Sequence, residues 1–117
     1  MLQAAHAAMY LWKIVGNTSN RAHAAQLVAH VYALLGLPNP AKHYLKQSQS
    51  FFLDHHCASW EKAFAHAVAA NVAAAAQEHE SHARHYREAE ALIASLADEE
   101  ERRILNATMR VIPPPTV

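Results

Sequence analysis

Between Ala22 and Asp54 the hydrophobic positions recur at three- and four-residue steps, first on one segment and then on a second. The first segment carries the aliphatic set Leu27, Val28, Val31, Leu34 and Leu35, and the second carries Ala41, Tyr44, Leu45, Phe51 and Phe52. This spacing places each set on one face of a helix. Gly36 separates the two sets, and glycine adopts the left-handed conformation of a helix C-terminus without strain. We therefore predict two helices that fold back on each other as a hairpin.

Polar residues at the start of apolar runs predict where other helices begin. Asn39 and Pro40 indicate a helix that starts at Pro40, because asparagine caps helices and proline suits the first helical position. Ser59 is the predicted cap of the next helix in the chain. Asp98 is the predicted cap of the last helix, with Glu101 in the position that completes a capping box.

The stretch 59–96 contains neither glycine nor proline. Local propensity alone would make it one helix of about 57 Å, which is unusually long for a globular domain. We predict a turn near Gln77–Glu80. The six predicted helices are then Leu2–Val15, a helix from the Asn17–Asn20 cluster to about Leu35, Pro40–Asp54, a helix from Ser59 to the turn, Ser81–Leu96, and a helix from Asp98 with Ile104, Leu105 and Met109 facing inward.

One set of residues in the first predicted hairpin also has the spacing of a known repeat. Tyr32, Gly36, Ala41 and Leu45 resemble the aromatic, glycine, small and large positions of a tetratricopeptide repeat. A poorer second copy has Gln77 at the glycine position. The predicted fold is all-α, a tetratricopeptide-like right-handed superhelix of about three antiparallel helix pairs with five to six helices. It occupies residues 1–112 as a single domain, and residues 113–117 form an extended proline-rich tail.

Four longer segments carry a family resemblance that spans nearly the whole chain. They are HAAMYLW at 6–12, VGNTSN at 15–20, VYALLGLPNPAKHYLKQS at 31–48 and AFAH at 63–66. Together they resemble a bacterial family of small, uncharacterised tetratricopeptide-like proteins. The resemblance implies an all-helical repeat fold and no established activity. Members of that family tend to carry arginine or acidic groups where this chain has His23, Ala25, His30 and Ala67.

Composition and charge narrow the classes of function. Alanine, the strongest helix former, fills 26 of the 117 positions. The chain has ten basic and ten acidic residues, so it lacks the basic excess that a nucleic-acid partner requires. No apolar run approaches the roughly 20 residues of a membrane span. The single Cys57 excludes an internal disulfide and favours a reducing, cytoplasmic location.

Histidine is over-represented, with ten residues, and provides the candidate chemistry. His79, His82 and His85 are weak candidates for metal ligands, because steps of three residues drift around a helix and a three-ligand site is awkward. The adjacent histidines of the segment His55–Cys57 are a second weak candidate for a metal or redox role. No catalytic motif occurs, so we expect neither an enzyme nor a cofactor.

The concave groove of a tetratricopeptide stack is the more credible functional surface. The first helix of each pair lines such a groove, and Asn20, His23 and His30 fall on one stripe of such a helix, with His66 extending it. These side chains predict a module that binds a protein or peptide partner. Two alternatives remain, a homodimer or other oligomer of helical chains and a histidine-based metal protein or enzyme. The oligomer would use the apolar residues Met9, Trp12, Ile104, Met109 and Ile112, whereas Trp60 is assigned to helix packing.

Overall fold

The computed structural model describes residues 18–54 and 57–115, which form five α-helices and contain no strand. The helices are α1 (Thr18–Leu34), α2 (Pro38–Asp54), α3 (Ser59–Ala75), α4 (His79–Ala94) and α5 (Glu99–Arg110). The all-α prediction is therefore confirmed, and the predicted helix Leu2–Val15 lies outside the described residues. Within residues 18–54 and 57–115, no helix has the length and apolar character needed to cross a lipid bilayer.

The helices pack as two hairpins and a final single helix. α1 packs along α2, and α3 packs along α4. The helix α3 also contacts both helices of the first hairpin, and α5 lies against α3 and α4. Because α3 contacts all four other described helices, its central turns are almost wholly buried. The buried residues are Ala63, Ala65, Ala67, Val68, Ala69, Ala70, Asn71, Val72 and Ala73. Most of these residues are alanines, which let helices approach closely.

The turn of the first hairpin has the hydrogen bonds of a Schellman motif. The Leu37 N–H donates to the Tyr32 carbonyl at 3.0 Å, and the Gly36 N–H donates to the Ala33 carbonyl at 3.0 Å. Gly36 has φ +73°, so its lack of a Cβ avoids the strain of this conformation. The prediction that Gly36 ends the helix is confirmed.

The second hairpin turns with the same two hydrogen bonds, but without glycine. The Glu78 N–H donates to the Ala73 carbonyl at 2.9 Å, and the Gln77 N–H donates to the Ala74 carbonyl at 3.1 Å. Gln77 takes the glycine position with φ 60°. The predicted turn near Gln77 is confirmed, and the following helix starts at His79 rather than at Ser81.

Two predicted helix starts are wrong by one or two residues. α2 begins at Pro38 rather than Pro40, since the Leu37 carbonyl already accepts a hydrogen bond from the Ala41 N–H at 3.3 Å. Proline is thus at the first helical position, as expected, but it is the earlier of the two prolines. Ser59 is already helical, so Ala58 is the N-cap of α3.

The start of α5 confirms the predicted cap at Asp98, but among the described residues the Glu101 carboxylate does not accept the second hydrogen bond of a capping box. The Asp98 carboxylate accepts a hydrogen bond from the Glu101 N–H at 2.9 Å. Three acidic residues lie in the first turn of the helix and Arg110 lies in its last turn. Both placements suit the helix dipole, which is positive at the N-terminus and negative at the C-terminus.

The aliphatic set predicted to share one packed face of the first helix is only partly buried. Leu27, Leu34 and Leu35 are 42%, 40% and 51% exposed, whereas Val28 and Val31 are buried. Because α1 packs against α2 and α3 through two different faces, its buried positions are filled mainly by alanine, at 22, 24, 25, 29 and 33. Leu27 and Leu34 lie two turns apart on the face that remains, and Leu35 follows the end of the helix.

Of the residues predicted to face inward on α5, Leu105 and Met109 are buried. Ala89 and Ile93 on α4 are also buried, as is Leu96 after the end of that helix. Ile104 is the exception, with 52% of its surface exposed. It precedes Leu105 directly, so the two side chains point about 100° apart around the helix.

Candidate functional site: histidines and a cleft between the helices

His23 on α1 lies against the beginning of α3. Its Nε2 is 3.2 Å from the Glu61 carboxylate, and its ring stands edge-on to Phe52 with centroids 4.8 Å apart. The ring also stacks on Trp60 at 6.2 Å and 15°. The other oxygen of Glu61 accepts a hydrogen bond from the Ala58 N–H at 3.1 Å, which fixes the carboxylate. His23 is therefore an oriented, half-buried imidazole that joins the two helices.

His30 lies two turns further along α1 and is buried, with 9% of its surface exposed. Its Nδ1 is 3.2 Å from the Asn71 side-chain nitrogen on α3. An amide NH₂ only donates, so Nδ1 accepts and the neutral ring carries its proton on Nε2. Burial lowers the pKa of His30, because an imidazolium would lose its hydration there. His30 thus acts as a neutral hydrogen-bond acceptor between the helices.

His66 on α3 turns toward the opposite neighbour, α4. Its Nδ1 is 3.0 Å from the Nδ1 of His85, and the two rings are 5.2 Å apart. Burial lowers the pKa of His66. Burial also lowers the pKa of His85 to about 4, with the neighbouring His66 and Arg84 adding to the effect. Two neutral imidazoles therefore face each other across the second hairpin.

The predicted groove residues thus do not share one surface. His23 and His30 face α3, and His66 faces α4. Asn20 belongs to α1, but its side chain lies outside the part of the chain that the structure describes.

The three histidines of α4 also face different surroundings. His79 is exposed, whereas His82 is buried and donates from Nε2 to the Pro113 carbonyl at 2.6 Å. His85 contacts His66 on α3. Across residues 18–54 and 57–115, no three histidine, cysteine, aspartate or glutamate side chains converge on one point. The run of histidines at steps of three therefore has no shared ligand position.

Cys57 is held as a thiol. Burial raises its pKa, and the nearby Glu61 carboxylate adds to the rise. Its Sγ lies 3.7 Å from the Phe51 carbonyl, to which it donates a weak hydrogen bond. A raised pKa disfavours the thiolate that both metal binding and nucleophilic attack require. The neighbouring His55 and His56 lie outside the described residues.

An apolar cleft lies between α3 and α5, and we call it the α3–α5 cleft. It has a volume of about 440 Å³ and is lined by Trp60, Phe64, Glu101, Ile104 and Leu105. Trp60 is 38% exposed, so two large apolar side chains, Trp60 and Ile104, are open to solvent here.

Sequence reasoning missed the α3–α5 cleft because it assigned Trp60 and Ile104 to the interior. One signal was available, since Trp60 and Phe64 are four residues apart, as are Glu101 and Leu105. Each pair therefore shares a helix face. What could not be read from the sequence is that these two faces lie opposite each other.

Comparison with known proteins leaves the residues as the only guide to function. No protein-family model, no curated protein and no solved structure matches the chain. The proposals below are therefore argued from the geometry of the described residues.

Proposed function

We propose that the chain is a tetratricopeptide-like stack of helical hairpins that binds a protein or peptide partner along the first helices of its pairs. Several features support this proposal. The two hairpins turn with the same hydrogen bonds 41 residues apart, at Gly36 and Gln77. The first helices α1 and α3 contact each other, as do α3 and α5. In hairpin stacks, successive helices of this kind form an extended concave binding surface.

Three further predictions from the sequence belong to this proposal, namely the handedness of the stack, its family and its location. We propose a right-handed superhelix and membership of the small bacterial tetratricopeptide-like family that the four sequence segments resemble. We also propose a cytoplasmic location, because a chain with a single cysteine has no internal disulfide to maintain.

The α3–α5 cleft is the observation that carries the proposed function. Its walls come from α3, the first helix of the second hairpin, and from α5, the single helix that follows that hairpin. In the proposed stack, α5 takes the position of the next first helix. Trp60 is the most suitable anchor, because tryptophan is enriched among residues that dominate binding energy. The cleft volume of about 440 Å³ falls in the range of roughly 300–1,000 Å³ that is typical of binding pockets.

Charge around the α3–α5 cleft indicates the chemistry of the partner. Glu101 lines the cleft, and its carboxylate has no hydrogen bond or ion pair to any other residue that the structure describes. It ends the acidic run Asp98–Glu101. Complementary charge favours correct partners and suppresses wrong ones. We therefore propose a partner segment that inserts an apolar side chain beside Trp60 and places a lysine or arginine near Glu101.

The experiment is selection from a phage-displayed peptide library against the immobilised wild-type chain, followed by measurement of each enriched peptide on the Trp60→Ala variant. We expect enriched peptides to combine an apolar residue with a nearby basic residue. Their binding should weaken at least about tenfold in Trp60→Ala, as for a central anchor residue. A smaller loss is expected for Glu101→Gln, since a partly exposed charge contributes less.

A fluorescence measurement provides the direct readout. Trp12→Phe leaves Trp60 as the only tryptophan, so its emission should shift to the blue when a peptide covers it. The matched control is Val111→Ala, which removes an exposed apolar side chain that does not line the cleft. Peptides that bind wild type and Trp60→Ala equally well would overturn this function, as would a library that yields no binder.

A second candidate function, self-association, is favoured by the exposed leucines around the first turn. Leu34, Leu35 and Leu37 are nearly consecutive and all exposed, and Leu27 lies two helical turns before Leu34. Met109 and Ile112, which the sequence also suggested for this role, are buried within their own chain. Sedimentation analysis tests the candidate: a dimer that Leu27→Gln with Leu34→Gln converts to a monomer supports it, and a wild-type monomer excludes it.

A further inference from the structure

The imidazoles of His66 and His85 meet nitrogen to nitrogen, with an Nδ1–Nδ1 distance of 3.0 Å. Two imidazoles on one tetrahedral zinc ion, at 2.0–2.1 Å from the metal, hold their nitrogens about 3.3 Å apart. A shift of a few tenths of an ångström therefore makes room for an ion. Both side chains are partly exposed, so an ion can reach them from solvent.

We propose that His66 and His85 form a two-histidine site for a divalent transition-metal ion such as Zn²⁺, which links α3 to α4. This site is separate from the α3–α5 cleft and does not depend on peptide binding. No third histidine, cysteine or carboxylate converges on it among the described residues. Water completes the coordination, as at the open positions of other zinc sites.

The protonation state of the pair sets the conditions of the test. Only a neutral imidazole offers a lone pair to a metal ion, so protons compete with the ion. A pH of 7.5 lies above the ordinary histidine pKa of about 6.5 and limits this competition.

The position of Arg84 shows which ring nitrogen of His85 carries the proton before a metal ion binds. Its guanidinium nitrogen is 3.5 Å from the Nε2 of His85, and a guanidinium can only donate. The Nε2 therefore accepts, and His85 carries its proton on Nδ1, from which it donates to His66. When a metal ion takes both Nδ1 lone pairs, this proton moves to Nε2 through solvent and Arg84 turns away. No net proton is released from the two neutral rings.

Two charged residues on α4 act on the site in opposite directions. Glu88 places a negative charge near both imidazoles, and Arg84 places a positive charge near both. A negative charge that stabilises an imidazolium also stabilises a bound cation, and a positive charge opposes it. Arg84→Gln should therefore strengthen metal binding, and Glu88→Gln should weaken it.

Isothermal titration of the untagged full chain with ZnCl₂ at pH 7.5 tests the proposal. We expect one site of highest affinity. The variants His66→Ala and His85→Ala should each weaken it at least about tenfold, because even changes in the outer shell of a metal site cost 10–100-fold. The matched control, His79→Ala, removes an exposed histidine of the same helix and should bind Zn²⁺ as the wild type does.

Histidine NMR provides a second readout that needs no alanine variant at the pair. On addition of Zn²⁺, the ring nitrogen resonances of His66 and His85 should shift together and before those of the other histidines. Equal Zn²⁺ affinity in wild type, His66→Ala and His85→Ala overturns the proposal. So does a wild-type chain in which Zn²⁺ leaves both resonances unmoved, or one in which Arg84→Gln binds more weakly.

Discussion

The two hairpins reverse the chain with the same backbone turn, but only the first has a glycine at the critical position. Gly36 and Gln77 have φ values of 73° and 60°. A left-handed conformation costs a residue with a Cβ roughly 1–2 kcal/mol, so the second turn is strained where the first is not. The contacts between α3 and α4 must offset this cost. A turn can therefore be specified either by its own residues or by the helices that it connects.

The side chains packed between the two helices also differ between the two hairpins. In the first, Tyr32 and Tyr44 stack at 5.8 Å beside the buried Ala41. In the second, the buried residues are mainly Ala63, Ala67, Ala70, Ala89 and Ile93, with Phe64 and Tyr86 partly buried against them. The packing of α3 on α4 must therefore hold the second hairpin without a local stop signal.

The largest effect is expected where the two hairpins meet. Phe52 on α2 is fully buried and packs with Ala65 on α3 and Ala22 on α1. Phe52→Ala should lower the free energy of unfolding by about 3–5 kcal/mol, as for other large-to-small core changes. Urea denaturation followed by circular dichroism measures the loss. A loss below about 1 kcal/mol would contradict the packing of the two hairpins on each other.

The control for this change is Trp60→Ala, which removes a large but partly exposed aromatic side chain. It should cost less, because much of its surface stays in water when folded. If the two hairpins of Phe52→Ala unfold in two separate transitions, the stability of each hairpin can be measured from its own transition.

Gly36→Ala tests the first turn. A Cβ at this position would meet no atom within 4 Å, so the cost arises from the backbone conformation alone. We expect a loss of about 1–2 kcal/mol, measured by urea denaturation. An unchanged stability would show that the positive φ is not required for the turn.

Gln77→Gly tests the second turn in the opposite direction. Relief of the positive φ should stabilise the chain by about 0.5–1 kcal/mol, after subtraction of the greater freedom of glycine in the unfolded state. Gln77→Ala is the control, since it keeps the Cβ and should leave stability nearly unchanged. Destabilisation by glycine would mean that the glutamine side chain, rather than the backbone, matters at this turn.

The smallest effect at neutral pH is expected from the buried histidine that joins the hairpins. Burial lowers the folded-state pKa of His30 below its ordinary value of 6.5. The unfolded chain then binds more protons in acid, so stability is present above pH 6.5 and is lost as pH falls toward the folded-state pKa. The difference in unfolding free energy between pH 7.5 and pH 5 should be smaller in His30→Gln than in wild type.

His66 and His85 act in the same direction, so the dependence on pH should be reduced in His30→Gln rather than abolished. The control is His79→Gln, which alters an exposed histidine and should keep the wild-type dependence. An identical dependence in His30→Gln would show that the His30–Asn71 contact does not exclude the charged imidazole.

Local sequence signals predicted those features that depend on a few neighbouring residues. The helix end at Gly36 and the cap at Asp98 are of this kind, because one conformation or one hydrogen bond defines each. The predicted starts at Pro40 and Ser59 were wrong by one or two residues. Another proline, Pro38, precedes Pro40, and at the second start the Glu61 carboxylate accepts a hydrogen bond from the Ala58 N–H.

Prediction was weaker for side-chain burial and for the candidate sites. Periodicity indicated which residues share a face, but it did not indicate which face of α1 is covered, so Leu27 and Leu34 were assigned to the core. The contact of His66 with His85 joins residues 19 positions apart. The sequence placed one of them in a groove and the other in a metal run, since nothing local pairs them.

The sequence by itself determined that the chain is helical and where several helices end, because alanine content, glycine and capping residues act over one or two turns. Only the tertiary structure decided which faces meet, which leucines stay in water, and that His66 and His85 oppose each other. The physical reason is that burial and pairing depend on the positions of whole helices relative to one another, and these follow from the summed packing of many small side chains rather than from any one of them.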